Sequence, residues 1–283
     1  MKKIKIIYGA LLCGSLVLGI QSCKKNTISA PNAVSQTGAD NSNNSSARMW
    51  IAGKQLYAVG HDASSQAFLY PLAAPAALTP GTPTALCVGG TTVTEVTGIA
   101  FITNTTNSII VSTSGTSNYA NKLLIYAFGA PYNAPTIVTC GGITDIEFNE
   151  YDSKLYGILQ NSKIVRIAPM AGTTTVNLTP VIPAGSKLAG LCNYNGLLSY
   201  CISDATAAAD NFYSYNPAAP AITAPLFSTD FGTGNGGMQY CDTYGWEVIT
   251  PTDNHKSISS AYVPGAFSLL PGGPFRISDL TSN

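Results

Sequence analysis

Three acidic residues lie inside short apolar segments that have the pattern of β-strands. Asp145 and Glu147 alternate with hydrophobic residues in Ile143-Thr-Asp-Ile-Glu-Phe148, and Asp279 has a similar place in Ser278-Asp-Leu-Thr-Ser282 near the C-terminus. Two carboxyl groups about 5 to 10 Å apart can act as acid and base on a glycosidic bond. Carboxylates would also serve a lactone hydrolase that depends on a cation. These three residues therefore form a candidate hydrolytic site if the fold brings them together.

A second set of polar residues lies in segments with the composition of turns. His61 and Asp62 follow one apolar segment, Asp204 follows another, and Asp253 and His255 lie between two more. Imidazole and carboxylate groups can bind a polar ligand or a metal ion. Asp, Asn and Ser are also common in hairpin turns because of their local hydrogen bonds. A ligand site and a purely structural role are both open for this set.

The segment around Asp145 belongs to a repeat. An apolar strand, a short polar turn and a second apolar strand occupy 142–159, and the start of this unit recurs at intervals of 42 to 47 residues. The five starts are Thr97-Gly-Ile-Ala-Phe, Thr144-Asp-Ile-Glu-Phe, Ala189-Gly-Leu-Cys-Asn, Gly236-Gly-Met-Gln-Tyr and Ser278-Asp-Leu-Thr-Ser. A period of this size, built from short strands, is typical of a β-propeller, in which each repeat forms one blade.

Each repeat is predicted to contain four strands, named a to d from the axis outward. In the third repeat these strands are predicted at 143–149, 154–159, 163–168 and 175–182. A tyrosine followed by a turn that contains proline marks strand c in four repeats, at Tyr70, Tyr126, Tyr215 and Tyr262. Proline suits that place because the chain leaves the sheet there and needs no N–H donor. The predicted fold class is all-β, a five-bladed propeller of four-stranded blades.

The first repeat has no strand a of its own. Its first strand begins near Lys54, whereas the last repeat unit, 278–283, has the pattern of strand a with no strand b after it. We expect the C-terminal strand to pair with the N-terminal blade and to close the ring, which removes an exposed sheet edge. The column of residues nearest the axis would then be short in every blade: Gly98, Asp145, Gly190, Gly237 and Asp279.

This arrangement places the two candidate sites at different points of the disc. Asp145, Glu147 and Asp279 would point toward the axis, although the other blades have Ala100, Cys192 and Gln239 where the third has Glu147. This variation weakens the hydrolase interpretation. The loops between strands b and c would bring His61, Asp62, Asp204, Asp253 and His255 to neighbouring blades on one rim. Because separate loops hold the histidines too far apart to share an ion, we expect a polar ligand there and no metal or other cofactor.

The N-terminus is predicted to be a targeting segment. Three lysines precede an apolar run from Ile6 to Ile20, which is too short for a membrane-spanning helix and fits a signal peptide. Ile20-Gln-Ser-Cys23 resembles the cleavage box of bacterial lipoproteins. The resemblance implies cleavage after residue 22, lipid on Cys23 and attachment to a membrane of the cell envelope. Residues 24–48 are rich in Ser, Asn, Thr and Ala and are predicted to be a disordered tether, so 49–283 is one domain.

Composition excludes one class of partner. The chain has 14 basic and 14 acidic residues, and three of the lysines lie in the signal peptide, so the mature protein has no basic surface for nucleic acid. Five cysteines remain after Cys23, and we expect them to be small buried hydrophobic residues. The one disulfide pair to consider is Cys192 with Cys201, which flank a hairpin turn.

The sequence favours a binding protein over an enzyme. Its loops are neutral, polar and rich in tyrosine, and we find no nucleophile and base with the spacing of a catalytic pair. The predicted function is a lipid-anchored propeller, monomeric and exposed in the periplasm or on the cell surface, that binds a carbohydrate or a protein at the rim or the channel mouth. Trp246 and several tyrosines are candidates for stacking against sugar rings. The alternative is an extracytoplasmic hydrolase of glycosidase or lactonase type that uses Asp145, Glu147 and Asp279.

Overall fold

The computed structural model describes residues 55–73, 79–102, 107–129, 132–204, 209–231, 236–241, 245–250, 254–265, 268–269 and 276–282. These parts of the chain contain β-strands and turns and no helix. Accordingly, none of the described segments is a helix that could cross a bilayer. The fold class is all-β, as predicted.

The strands form five antiparallel blades and one extra hairpin. Blade I begins with β1 (Leu56–His61), β2 (Ala67–Ala73), β3 (Thr79–Pro80) and β4 (Thr84–Ala85), and a hairpin of β5 (Cys87–Val88) and β6 (Thr91–Thr92) follows. Blade II contains β7 (Val96–Ile102), β8 (Ser108–Thr113), β9 (Lys122–Ala127) and β10 (Thr136–Thr139). Blade III contains β11 (Ile143–Asn149), β12 (Lys154–Leu159), β13 (Lys163–Ala168) and β14 (Thr173–Leu178).

The remaining strands complete the ring. Blade IV contains β15 (Ser186–Tyr194), β16 (Leu197–Asp204), β17 (Asp210–Tyr215) and β18 (Phe227–Thr229). Blade V contains β19 (Gly237–Cys241), β20 (Gly245–Ile249), β21 (Asn254–Ile258) and β22 (Ser268–Leu269), and β23 (Arg276–Ser282) returns to blade I. The innermost strands contact one another in the order β23, β7, β11, β15, β19 and back to β23. The five-bladed ring is therefore confirmed.

The C-terminal strand closes the ring as predicted. β23 pairs antiparallel with β1 along the whole of β1, from Leu56 opposite Ser282 to His61 opposite Arg276. Ile277 and Leu280 of β23 pack in a buried cluster with Leu56. The seam thus combines a hydrogen-bonded ladder with apolar packing and leaves no unpaired edge on β1.

Apolar packing between neighbouring blades explains why both faces of the inner strands are buried. Every residue of β8 is buried, because its sheet lies between two other sheets. Between blades V and I, Ile249 packs in the same cluster as Leu72 and Leu280. The sheets pack face to face in the way that stacked β-sheets do, so the core is spread around the ring and is not concentrated at one centre.

Glycines in the innermost column allow the blades to approach the axis closely. A Cβ atom added to Gly98 would lie 2.7 Å from the backbone nitrogen of Ile146, and one added to Gly237 would lie 2.7 Å from the Cα atom of Asp279. Real Cβ atoms do not come so near to backbone, so these positions require glycine. The two glycines stand directly against the strands that carry Asp145 and Asp279.

Three details differ from the sequence prediction. Strand d of blade III is Thr173–Leu178, which begins and ends earlier than expected. The hairpin β5–β6 was not expected between blades I and II. Strand c of blade V ends at Ile258, so Tyr262 lies in the turn beyond it, whereas Tyr70, Tyr126 and Tyr215 lie in strand c of their blades. The prediction from the shared Tyr-Pro pattern that Tyr262 lies in strand c was wrong, because β21 is short and ends at Ile258.

The cysteines follow the expected pattern. Cys140, Cys192, Cys201 and Cys241 are buried and free, so the pair Cys192 and Cys201 is not bonded. Cys192 lies opposite Ser199 and Cys201 lies opposite Ala189 in the β15–β16 ladder, which separates the two sulfur atoms. Cys87 is buried as well.

Candidate functional site

Two blades, III and I, bring the predicted carboxyl groups to the axis. Asp145 lies in β11 of blade III and Asp279 in β23 of blade I, with Gly98 of blade II between them in the ring. The glycine leaves room for the two carboxyl groups to meet across its strand. Asp279 lies within hydrogen-bonding range of Asp145.

Asp279 is the anchored member of this pair. Its Oδ2 accepts a hydrogen bond of 2.8 Å from the backbone N–H of Ile99 in blade II, and its Oδ1 accepts one of 2.8 Å from the N–H of Leu280. By contrast, Asp145 receives only poorly aligned hydrogen bonds, from the backbone N–H groups of Leu191 and Ile146. A hydrogen bond between two carboxyl groups requires a proton on one of them. The pair is therefore arranged to share a proton.

Glu147 lies two residues further along β11 and has a different partner. The Nδ2 amide of Asn193 in β15 donates a hydrogen bond to Glu147 Oε1 and another, of 2.8 Å, to the carbonyl oxygen of Phe148. Glu147 Oε2 and Asn193 Oδ1 have no partner among the described residues. This amide ties blade IV to blade III and is an axial residue that the sequence analysis missed, because Asn193 shares no repeat position with an acidic residue.

All three carboxyl groups are buried, and burial controls their protonation. The exposed fractions of Asp145, Glu147 and Asp279 are 2%, 3% and 0%. Burial raises the pKa of Asp145 to about 7. Burial and, secondly, the charge of Asp145 raise the pKa values of Glu147 and Asp279 well above the usual range. The axial group thus favours its protonated, neutral form, which removes the cost of packing three negative charges together.

A fourth buried carboxyl group lies outside the axis and was not predicted. Glu247 in β20 is 2% exposed, and both of its oxygens accept hydrogen bonds from the Ser257 hydroxyl, at 2.9 and 2.8 Å. Burial raises its pKa to about 7. The signal for this residue was weak, because a single glutamate in Gly-Trp-Glu-Val-Ile has the alternation expected of an exposed position.

These carboxyl groups do not form a metal centre in the described part of the chain, where no group of three or more His, Cys, Asp or Glu side chains is placed to hold an ion. Chemically, the axial group can share and hold protons. A hydrolytic acid and base must reach a substrate, and the three side chains expose almost no surface. The axial carboxyl groups have a suitable acidity for catalysis, but a substrate has no access to them in this structure.

Four of the residues predicted at the rim, His61, Asp62, Asp204 and His255, lie at the same end of their blades and have different roles. His61 ends β1, and its Nε2 atom lies 3.1 Å from the Ser278 hydroxyl and 3.3 Å from the carbonyl oxygen of Val96. Asp62 Oδ1 accepts hydrogen bonds from the N–H groups of Ser64, at 2.8 Å, and Gln66, at 3.0 Å. Asp62 therefore stabilises its own turn, and His61 links the inner strands of blades I and II.

The other rim residues are less accessible or lie outside the described residues. The backbone N–H of Asp204 donates a hydrogen bond of 2.9 Å to Asp210 Oδ1, which fastens the two ends of its loop. His255 is the second residue of β21 and is only 6% exposed, although we expected it in a loop. Asp253 and the lipidation candidate Cys23 lie outside the described residues. The structure thus leaves His61, Asp62 and Asp204 half-buried and His255 buried.

Comparisons with known proteins show similarity of fold alone. No family model and no curated protein matches the chain. Among solved structures, the chain is similar to one from a nidogen/laminin complex, with a TM-score of 0.45, 12% identity, and coverage of 81% of this chain and 98% of that chain. It is also similar to YCF48 bound to D1 peptide, with a TM-score of 0.41, 12% identity, and coverage of 77% and 64%. For the Cps50 (Swd1) β-propeller domain of Myceliophteria thermophila the TM-score is 0.40, with 10% identity and coverage of 80% and 72%.

Proposed function

We propose that this protein is a membrane-anchored, extracytoplasmic β-propeller that binds a carbohydrate or a protein and does not turn it over. The observation that carries the proposal is the burial of Asp145, Glu147 and Asp279, which removes the candidate catalytic groups from solvent. Both carboxyl oxygens of Asp279 also accept hydrogen bonds from backbone N–H groups. Buried, hydrogen-bonded carboxyl groups support the packing of the blades. The ligand would then bind to the surface of the disc.

The rim of blades IV, V and I is the proposed position for this ligand, with His61, Asp62, Asp204, Asp253 and His255 as its residues. His61 Nε2 lies near two oxygen atoms, at the place where β1 ends and the inner strands β7 and β23 begin. We expect His61→Ala to weaken ligand binding while Ser64→Ala, an exposed change in the same turn, leaves it unaltered. Binding to a glycan array and to envelope proteins would be measured with the folded protein. Equal binding by both variants would contradict a ligand at this rim.

The membrane anchor is the second part of the proposal, and it rests on the resemblance of Ile20-Gln-Ser-Cys23 to a lipoprotein cleavage box. Each CH₂ group of an acyl chain that enters the bilayer contributes about 0.8 kcal/mol, so two chains hold a protein firmly at the membrane. We expect Cys23→Ser to accumulate as unprocessed precursor or to leave the membrane fraction. Detergent partitioning that is the same for Cys23→Ser and the unaltered protein would contradict the anchor.

A hydrolase is the alternative function, and one observation favours it. The pKa of Asp145, raised to about 7, is that of a general acid at neutral pH, as in enzymes that place a carboxyl group in an apolar pocket. The same pKa follows from burial alone. Substrate entry to the axis would have to separate the inner strands, and this requirement makes hydrolysis the weaker proposal.

A further inference from the structure

Five aromatic side chains meet on the face of the disc opposite the predicted rim. Tyr194 ends β15, Tyr240 and Trp246 flank the turn between β19 and β20, Phe227 begins β18, and Tyr262 lies in the turn after β21. Each of these positions is at the end of the blade where strands a and b, or c and d, are joined. The loops that carry His61 and His255 are at the other end. The five residues, called the aromatic cluster below, span blades IV and V.

Two pairs of rings in the aromatic cluster are stacked, and the other pairs are tilted or edge-on. Trp246 is fully buried, and its ring stacks on Tyr194 with centroids 4.9 Å apart and an interplanar angle of 29°. Tyr262 lies 5.5 Å from Trp246 and stacks on Phe227 at 5.3 Å and 29°. Tyr240 packs beneath, 4.4 Å from Trp246. Tyr262 is 37% exposed and forms the outer layer of the cluster.

Tyr262 is held in an unusual backbone conformation. Its φ angle is 63°, and it is the one aromatic residue among nine non-glycine residues with positive φ in the described part of the chain. A bulky residue rarely adopts this conformation without compensation from its surroundings. The compensation is visible in the turn, where the Tyr262 N–H donates to the Ser259 carbonyl oxygen at 2.8 Å and the Ser259 N–H donates to the Val263 carbonyl oxygen at 3.0 Å. The turn therefore presents the Tyr262 ring at a fixed place on the surface.

Two polar features accompany the stacked rings. The hydroxyl groups of Tyr194 and Tyr262 lie 3.0 Å apart at the exposed edge of the cluster, where each can also accept or donate a hydrogen bond outward. The indole Nε1–H of Trp246 is buried and has no acceptor among the described residues. Because Trp246 is fully buried, this N–H is out of reach of a bound ligand, and the two tyrosine hydroxyl groups are the polar contacts that the cluster offers at its surface.

From these features we propose that the aromatic cluster is a binding site for a neutral carbohydrate. A pyranose ring has an apolar C–H face, which can stack on the Tyr262 ring, and a rim of hydroxyl groups, which can bond to the paired hydroxyls of Tyr194 and Tyr262. The inference rests on the proposed binding function. It places the carbohydrate on the face opposite the rim and leaves the rim around His61 to a protein ligand. It needs no charged group, and the cluster contains none.

The chemistry of the cluster favours this ligand over an acidic or basic one. A charged ligand would lose hydration at a surface that offers no opposite charge, and this loss is unfavourable. A sugar keeps its hydroxyl groups at the wet edge and buries only C–H groups. The amphipathic tyrosine side chain suits such a contact, because its ring is apolar and its hydroxyl is polar. A proline-rich peptide is the competing ligand and is included as an outcome of the test.

The test uses the full chain on an array of neutral oligosaccharides, followed by titration of the best ligand. The protein has two tryptophans, so a Trp50→Phe background leaves Trp246 as the sole reporter of bound sugar. We expect Tyr262→Ala to weaken binding by about tenfold or more, as loss of one aromatic contact implies. Tyr151→Ala is the matched control, since Tyr151 is 63% exposed in the turn between strands a and b of blade III, on the same face. We expect it to bind as the unaltered protein does.

Conservative variants keep the test decisive if Tyr262→Ala fails to fold. Tyr194→Phe with Tyr262→Phe retains both rings and removes the hydroxyl pair. This double variant is expected to weaken binding several-fold. Unchanged binding by all these variants, or an equal loss in Tyr151→Ala, would overturn the site. Loss of sugar binding in His61→Ala alone would also overturn the site. Capture of a proline-rich peptide with no sugar bound would overturn it too. Both results would leave the proposed binding function intact. A protein that binds no ligand of either class contradicts both proposals.

Discussion

Removing the last strand is expected to prevent stable folding of the whole domain. A chain that ends at residue 275 lacks β23, so β1 has an unpaired edge and the apolar contacts of Ile277 and Leu280 with Leu56 are lost. An open ring exposes a sheet edge and an apolar face, and both favour aggregation. We expect an aggregated product, or a loss of several kcal/mol in the free energy of unfolding measured by urea denaturation.

A point variant gives the graded form of this experiment. Leu280 is fully buried, and Leu280→Ala is expected to cost about 2 to 5 kcal/mol because it removes buried methyl groups and leaves a cavity. Val263→Ala, at a position that is 63% exposed, is the control and should change the midpoint little. A truncated chain that melts at the temperature of the full chain would show that β23 does not close the ring.

The stability of the protein is expected to fall as the pH rises from about 5 to 8. Burial raises the pKa of Asp145 and of Glu247 to about 7 in the folded protein, and raises those of Glu147 and Asp279 well above their usual range. In the unfolded chain these groups lose their protons near pH 4. Between the unfolded and folded pKa values the folded state binds more protons, so the free energy of unfolding decreases with pH. Each pKa unit corresponds to about 1.4 kcal/mol.

Asp145→Asn isolates the axial contribution to this dependence. The amide resembles the neutral carboxylic acid in shape and cannot ionise, so the variant should match the unaltered protein at about pH 4 and below and exceed its stability by a few kcal/mol near pH 8. The exposed carboxylate variant Asp230→Asn is the control and should keep the full slope. Stability that rises with pH in the unaltered protein, or a slope that Asp145→Asn does not reduce, would contradict a proton-bearing axis.

The inner strands could be predicted from the sequence because they repeat. The five starts at Thr97, Thr144, Ala189, Gly236 and Ser278 define the register of the ring, and the structure places each at or within one residue of an inner strand. The innermost column also follows from crowding, since the close approaches at Gly98 and Gly237 leave no space for a side chain. The repeat interval can be counted in a single sequence, and the small residues near the axis can be identified from the same repeat.

Side-chain environment was much harder to predict than strand position. His255 and Glu247 look like exposed residues in a polar pattern, yet both are buried, because blade V packs between two neighbours and has no solvent face in its inner strands. Tyr262 looked like part of strand c and instead caps the aromatic cluster from a turn with positive φ. The burial of these side chains depends on contacts between blades, and a local sequence pattern does not predict such contacts. The protonation of the axis has the same origin, since it follows from burial and not from residue type.

The measurement that tests the central claim most directly is a comparison of ligand binding and product release by the unaltered protein and Asp145→Asn. Both proteins would be mixed with array-selected glycans and with general glycosidase and lactonase substrates at pH 7. The account predicts that both proteins bind the same ligand with the same affinity and that neither releases product, because the carboxyl groups of Asp145, Glu147 and Asp279 are buried at the axis. Product release by the unaltered protein that is lost in Asp145→Asn would contradict it and identify the axis as an active site.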